Sequence, residues 1–115
     1  MIVLRPIQAL RLWHQVTLAD VRDDLPDLTM RQMAILLTIY LDPPPHTVRG
    51  LAGKLGVTKP VISRALDTMG ALKLVTRQRD QKDRRNVLIR RTVEGALYVE
   101  RFGDVIIARG QELPL

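Results

Sequence analysis

The sequence contains no cysteine, which excludes disulfide staples, thiolate zinc sites and thiol-based redox sensing. Aromatic residues make up 3% of its 115 residues, little material for a large aromatic-lined ligand pocket. Long apolar runs are missing too. In MIVLRPIQALRLWHQV, Arg5 and Arg11 interrupt the hydrophobic residues, so the stretch suits neither a signal peptide nor a membrane span, and a cytoplasmic protein with no membrane partner is expected. No serine sits in a nucleophile elbow, and no glycine-rich phosphate loop occurs. His14 and His46 lie far apart, in no catalytic or metal-ligand spacing. The chain is therefore not read as an enzyme, and neither a metal nor a cofactor is expected.

What is present is a chain of one-domain length whose 46% hydrophobic content is too high for disorder. Its net charge of +6 is unevenly placed. Between His46 and Thr92 stand twelve basic and three acidic residues, a net +9, while the rest of the chain holds six basic and nine acidic, a net −3. A basic block flanked by acidic ends suits a polyanion-binding face, because neutralising phosphates releases condensed counterions. A merely solubilising surface would mix both signs.

Hydrophobic spacing divides the chain into helices. Pro6 fits the first turn of a helix with Ile7, Leu10, His14, Leu18 and Val21 on one side, ending near Asp24. Thr29 is a natural N-cap for a second, which Pro43, Pro44 and Pro45 stop. His46, Thr47 and Val48 suggest a very short strand; Val48, Leu51, Ala52 and Leu55 mark a third helix, closed by Gly56. In VTKPVISRALDTM, Thr58 is the N-cap candidate and Pro60 lies in the first turn. Val61, Ile62, Ala65, Leu66 and Met69 share one side of this fourth helix, and the other presents Lys59, Ser63, Arg64 and Asp67. Two helices joined by a three-residue turn, the second with a small, basic, hydroxylated face, form a helix-turn-helix whose second helix fits the major groove. An ordinary solvated helix face has the same pattern, so the local signal leaves both open.

Leu74 to Arg79 and Asn86 to Arg91 read as two strands, with Val75 opposite Val87 or Ile89, joined by the charged loop RDQKDRRN. Three helices followed by a hairpin predict a mainly α winged helix-turn-helix. A last helix runs roughly from Val93 to Glu112. The N- and C-terminal helices, 1–25 and 93–113, are expected to dimerise, with residues 28–92 as the DNA-binding core and 74–91 as the wing. Ile7, Leu10, His14, Val99, Phe102 and Ile106 are the interface candidates, since the terminal stripes exceed what a small core needs to cover. Completion of the monomer's own core is the competing use of those stripes.

The ordered motifs resemble those of the MarR family of regulators. Asp80-Gln81-Lys82-Asp83-Arg84-Arg85 resembles the family's D-x-R/K-D-x-R wing signature. Leu28-Thr29, Gln32 and Ile35-Leu36 are similar to its second-helix opening, VRGLAGKLGVTKPVISRALD to its helix-turn-helix, Leu74 to Arg77 to its LV-x-R strand, and Thr92 with Gly95 to its T-x-x-G helix start. The resemblance implies a homodimeric transcriptional regulator on a palindromic duplex site, with a recognition helix in the major groove and a wing in the minor groove. On that reading Thr58, Lys59, Pro60, Ser63 and Arg64 form the recognition set, and Arg77, Arg79, Asp80, Lys82, Asp83, Arg84 and Arg85 the wing set. Arg84 or Arg85 would insert, with the two aspartates orienting arginines. The chain departs from the family at Lys73, where glycine is usual, at Arg91, where leucine is common, and in its shorter terminal helices. A protein-interaction module and a sequence-indifferent DNA-coating protein are the alternatives. A small-molecule effector is not assigned, because Trp13, Tyr40, Tyr98 and Phe102 serve equally well as core fillers.

Overall fold

The computed structural model describes residues 3–113. Its helices are α1 (Pro6–Arg22), α2 (Met30–Leu41), α3 (Val48–Leu55), α4 (Lys59–Ala71) and α5 (Val93–Gln111); the strands are β1 (His46–Thr47), β2 (Val75–Arg79) and β3 (Val87–Arg91). The three strands form one antiparallel sheet in the order β1-β3-β2. This is a winged helix, mainly α as the periodicity predicts. The described residues group into two compact units, one reaching up to Asp27 and resuming at Glu100, the other spanning Leu28–Val99.

Leu28–Val99 holds most of the core. Ile35, Leu36 and Ile39 of α2, Leu51 of α3 and Ile62, Leu66 and Met69 of α4 are fully buried, each contributing about 1.5 to 3 kcal/mol relative to exposure. Local signals set the helix ends. The Thr29 hydroxyl accepts from the Gln32 N–H at 3.1 Å while Gln32 Oε1 accepts from the Thr29 N–H at 2.9 Å, a reciprocal capping box. Thr47 caps α3 through the Gly50 N–H, a role the sequence reading did not assign. Gly56 closes α3 at φ 65°, a left-handed conformation that favours glycine. At α4 Thr58 occupies the N-cap, as expected, and its hydroxyl makes no capping hydrogen bond.

Three sequence expectations shift. The first helix ends at Arg22, short of Asp24, and Val48 belongs to α3 rather than to the strand before it. In the hairpin, Val75 pairs with Arg91 and Ile89 with Arg77, so Val75 faces neither Val87 nor Ile89. The loop sets Arg79 against Val87 and sends Val75 to the far end of the ladder; Val75 and Ile89, both buried, then meet the core diagonally. The turn after α4 falls where the family usually places glycine. Lys73 takes it at φ 63°, its N–H donating to the Gly70 carbonyl and the Leu74 N–H to the Met69 carbonyl, both at 2.9 Å. This is a Schellman cap, completed by the buried pair Met69 and Leu74.

The root of the wing is tied to α2 by one side chain. The Tyr40 hydroxyl donates to the Leu74 carbonyl at 2.7 Å and accepts from the Thr92 N–H at 3.0 Å. Thr92 Oγ1 donates to the Lys73 carbonyl and accepts from the Gly95 N–H. Gly95 is required there, since a Cβ would collide with the Tyr40 hydroxyl and the Leu74 carbonyl oxygen. Arg91, the other departure from the family, donates from Nε to the Ile39 carbonyl and from a terminal nitrogen to the Asp42 carbonyl, each at 2.8 Å. Its guanidinium also lies over the Tyr40 ring, 5.8 Å from the centroid.

The unit containing α1 and the end of α5 is built differently. Of its described residues only Val16 is buried, while Ile7, Leu10, Trp13 and Ile107 are exposed. His14 is exposed as well, so it is not a core imidazole of the single chain. Arg101 grips Asp23 through both carboxylate oxygens, at 2.7 and 3.0 Å. The Asp20 carboxyl is pushed above its ordinary range, chiefly by burial and then by the charges of Asp27 and Asp23.

Two consequences are measurable. Lys73→Gly should raise unfolding stability by about 1 kcal/mol in denaturant titration, because glycine removes the left-handed penalty at a small entropic cost; an unchanged midpoint would contradict the strained cap. Asp20 has a raised folded value, so its stabilising contribution is complete below the unfolded value of 3.8 and lost as pH rises through the folded value. Asp20→Asn should therefore raise the melting temperature at pH 7 and lose that advantage below pH 3.8.

Candidate nucleic-acid interface

The fold presents α4 with one side buried in the core and the other in solvent. Thr58, Lys59, Pro60 and Arg64 are exposed and Ser63 is partly so. Pro60 lies in the first turn, where its missing N–H costs nothing. Neither Lys59 nor Arg64 has a side-chain hydrogen bond or ion pair among the described residues. Arg64 shares a cleft with Thr29, Arg31, Gln32 and Thr68. The sequence reading omitted Arg31, which lies 33 positions before Arg64 and outside the basic block. No periodicity links the two; only the packing of α2 against α4 brings them to one cleft.

The wing tip is held by its own aspartates. The Asp80 N–H donates to the Asn86 carbonyl, and Asp80 Oδ1 accepts from the Lys82 N–H at 2.9 Å. Asp80 therefore shapes the turn rather than orienting an arginine. Asp83 does orient one: its carboxylate accepts from Arg85 Nε at 3.0 Å, from an Arg85 terminal nitrogen at 3.2 Å and from the Arg85 N–H at 3.1 Å. Hydrogen bonds from the Arg85 side chain and backbone hold the Asp83 carboxyl below its ordinary range, with the Arg49 charge adding to the effect. A depressed carboxyl keeps its partner above the ordinary value and loses it as pH falls through the depressed one, so the pair is complete at neutral pH.

The remaining cations separate into two groups. Arg79 donates to the Arg84 carbonyl at 2.5 Å. Arg90 is taken by Gln78 and Arg91 by the carbonyls ending α2. Arg77 donates to Asp67 of α4 at 2.6 Å, so a residue assigned to the wing set is engaged with the recognition helix. Lys59, Arg64, Lys82 and Arg84 are exposed with no side-chain partner among the described residues. The Asp67 and Arg77 pair thus joins α4 to β2, through a residue of α4 outside the five expected to meet DNA.

Among the described residues no group of three or more metal-ligating side chains is assembled, and no helix is long and apolar enough to cross a membrane. Ile7, Leu10 and Ile106 are exposed, and Val99 and Phe102 are half-buried.

Comparison with known proteins fits this geometry. No curated protein matches the chain significantly. Among solved structures, the S. aureus MepR–DNA complex is 24% identical, covers 91% of this chain and 77% of its own, and superposes with a TM-score of 0.69. The transcriptional repressor CouR, bound to a 23-mer DNA duplex, is 24% identical over 90% of this chain and 70% of its own, with a TM-score of 0.70. The regulator Tm0710 from Thermotoga maritima is 25% identical over 90% and 67%, with a TM-score of 0.64. The family model described as the MarR family matches residues 27–86, more than half of the chain. By that match, and with the winged helix in place, this chain belongs to the MarR family.

Proposed function

We propose that the protein is a sequence-reading regulator of transcription that binds duplex DNA as a homodimer at an inverted repeat. The observation that carries this reading is the division among its cations. Arginines committed to protein partners hold the fold, whereas Lys59 and Arg64 on the outer side of α4 and Lys82 and Arg84 at the wing tip stand exposed without partners among the described residues. A cation left unpaired at a surface is ready to replace a phosphate's counterion.

Arg64 takes the base-reading or phosphate-gripping role in the major groove, with Lys59, Ser63 and Thr58 beside it. The Thr58 hydroxyl, not used as a cap, is free to donate to a phosphate. At the wing, Arg84 supplies the unpaired cation for the minor groove, where negative potential concentrates. Arg85, fixed by Asp83 yet 91% exposed in its side chain, offers a second guanidinium already aimed.

Pairing follows from the unit of α1 and the end of α5. With Val16 alone buried among its described residues and Leu10 63%, Ile7 52% and Trp13 46% exposed, it does not complete a core alone. A two-fold partner contributing the same faces covers them, and pairs two recognition helices on one duplex. MepR and CouR, both of this fold, are held on DNA in their solved structures, which supports duplex DNA as the ligand here.

The test separates reading from gripping. Arg64→Ala should weaken binding to a preferred duplex by roughly 1 to 3 kcal/mol while leaving a scrambled duplex little changed. Arg84→Ala should weaken both alike and reduce the salt slope by about one. If neither substitution alters retention of DNA in titrations at fixed salt, the assignment of these two elements is wrong.

A further inference from the structure

An acidic side chain has no use of its own on a helix face that meets phosphate. Asp67 nevertheless stands on the outer side of α4, one turn beyond Ser63 and Arg64. Its carboxylate is 65% exposed and takes Arg77 from the middle of β2 at 2.6 Å. Exposed ion pairs contribute little to folding, so stability does not account for this one. What the pair does is fix the distance between the recognition helix and the wing.

The other strand of the wing is held as well. Arg91 follows the buried Ile89 by two positions and so lies on the same side of β3. Helix α2 has no basic residue in its last turn, where orphan carbonyls and the negative end of the helix dipole call for one. Arg91 supplies that cation from 49 and 52 positions away, on the carbonyls of Asp42 and Ile39. Asp42 also binds Lys54 of α3 through its carboxylate at 3.1 Å. One brace therefore runs from β2 to α4, and a second from β3 through Asp42 to α2 and α3.

From these contacts we infer that Arg77 and Arg91 are positioning residues that lock the wing to the helix-turn-helix, so that both grooves are met by one rigid reading head. The inference rests on the DNA-binding reading above and removes Arg77 from the residues that touch DNA. A hairpin joined to its domain by a short root would otherwise swing, and ordering it on DNA would cost affinity at the site that requires both contacts together. A scrambled duplex, gripped at phosphates alone, does not require that register.

The experiment compares a preferred and a scrambled duplex across a salt series. Asp67→Asn, Arg77→Gln and Arg91→Met should each weaken the preferred duplex by about 3- to 10-fold, leave the scrambled duplex unchanged and keep the salt slope of the unsubstituted protein. Asp67→Asn combined with Arg77→Gln should be no worse than either alone. The exchange Asp67→Arg with Arg77→Asp should restore discrimination, since it rebuilds the brace with reversed polarity. If Arg77→Gln lowers both duplexes and the slope falls by about one, Arg77 touches phosphate itself and the brace is refuted. An exchange variant that melts normally yet stays as impaired as Asp67→Asn or Arg77→Gln also refutes it. Should the unsubstituted protein retain no duplex at all, the DNA reading fails and this inference fails with it; impairment confined to the exchange variant refutes the brace and leaves the DNA reading intact.

Discussion

The hydroxyl of Tyr40 is the contact on which the arrangement of this molecule depends. It sits where the first residue after the α4 cap, the last residue of the wing and the start of α5 converge, and it satisfies backbone groups of Leu74 and Thr92 together. Leaving such part-buried groups unpaired costs about 1 to 3 kcal/mol each. The hydroxyl reaches both only because Gly95 has no side chain to occupy the space. Thr92 repeats the device on a smaller scale, joining Lys73 to Gly95. The wing therefore rises from a root that is hydrogen-bonded to α2, and its charged tip is carried on a fixed stem.

Around that root the chain spends its cations in two ways. Arg77, Arg79, Arg85, Arg90 and Arg91 hold backbone or side-chain partners. Lys59, Arg64, Lys82 and Arg84 hold none among the described residues. A net charge gives no hint of this split, since all nine count equally toward it. The geometry distinguishes cations held by protein partners from cations that remain unpaired, and the second kind exchanges a counterion for a phosphate without first giving up a partner.

Much of this was legible in the sequence, and the limits have physical causes. Helices declare themselves by a local period and their ends by capping residue types, which is why Thr29 as an N-cap and Gly56 as a closing residue were readable; that Gln32 completes a capping box with Thr29 came from the structure. The wing signature marked the turn of the hairpin. Register was not readable, because it is set by the loop that closes Arg79 on Val87 rather than by which residues are apolar. Tyr40 passed as one more core filler, since its partners lie 34 and 52 positions away. Arg91 and Lys73 stood out as departures from the family pattern, but only the fold shows that one caps α2 and the other accepts a left-handed turn. The Asp67 and Arg77 pair was hidden for a similar reason: each residue looked like part of a solvated or DNA-facing surface until α4 and β2 were placed side by side.

The most direct test of the account is selection of bound sequences from a random duplex pool at near-physiological salt. The account predicts enrichment of a two-fold symmetric motif with half-sites about 10 base pairs apart, as two recognition helices related by a dimer axis require. Retention without enrichment, or no retention of duplex at all, would contradict it.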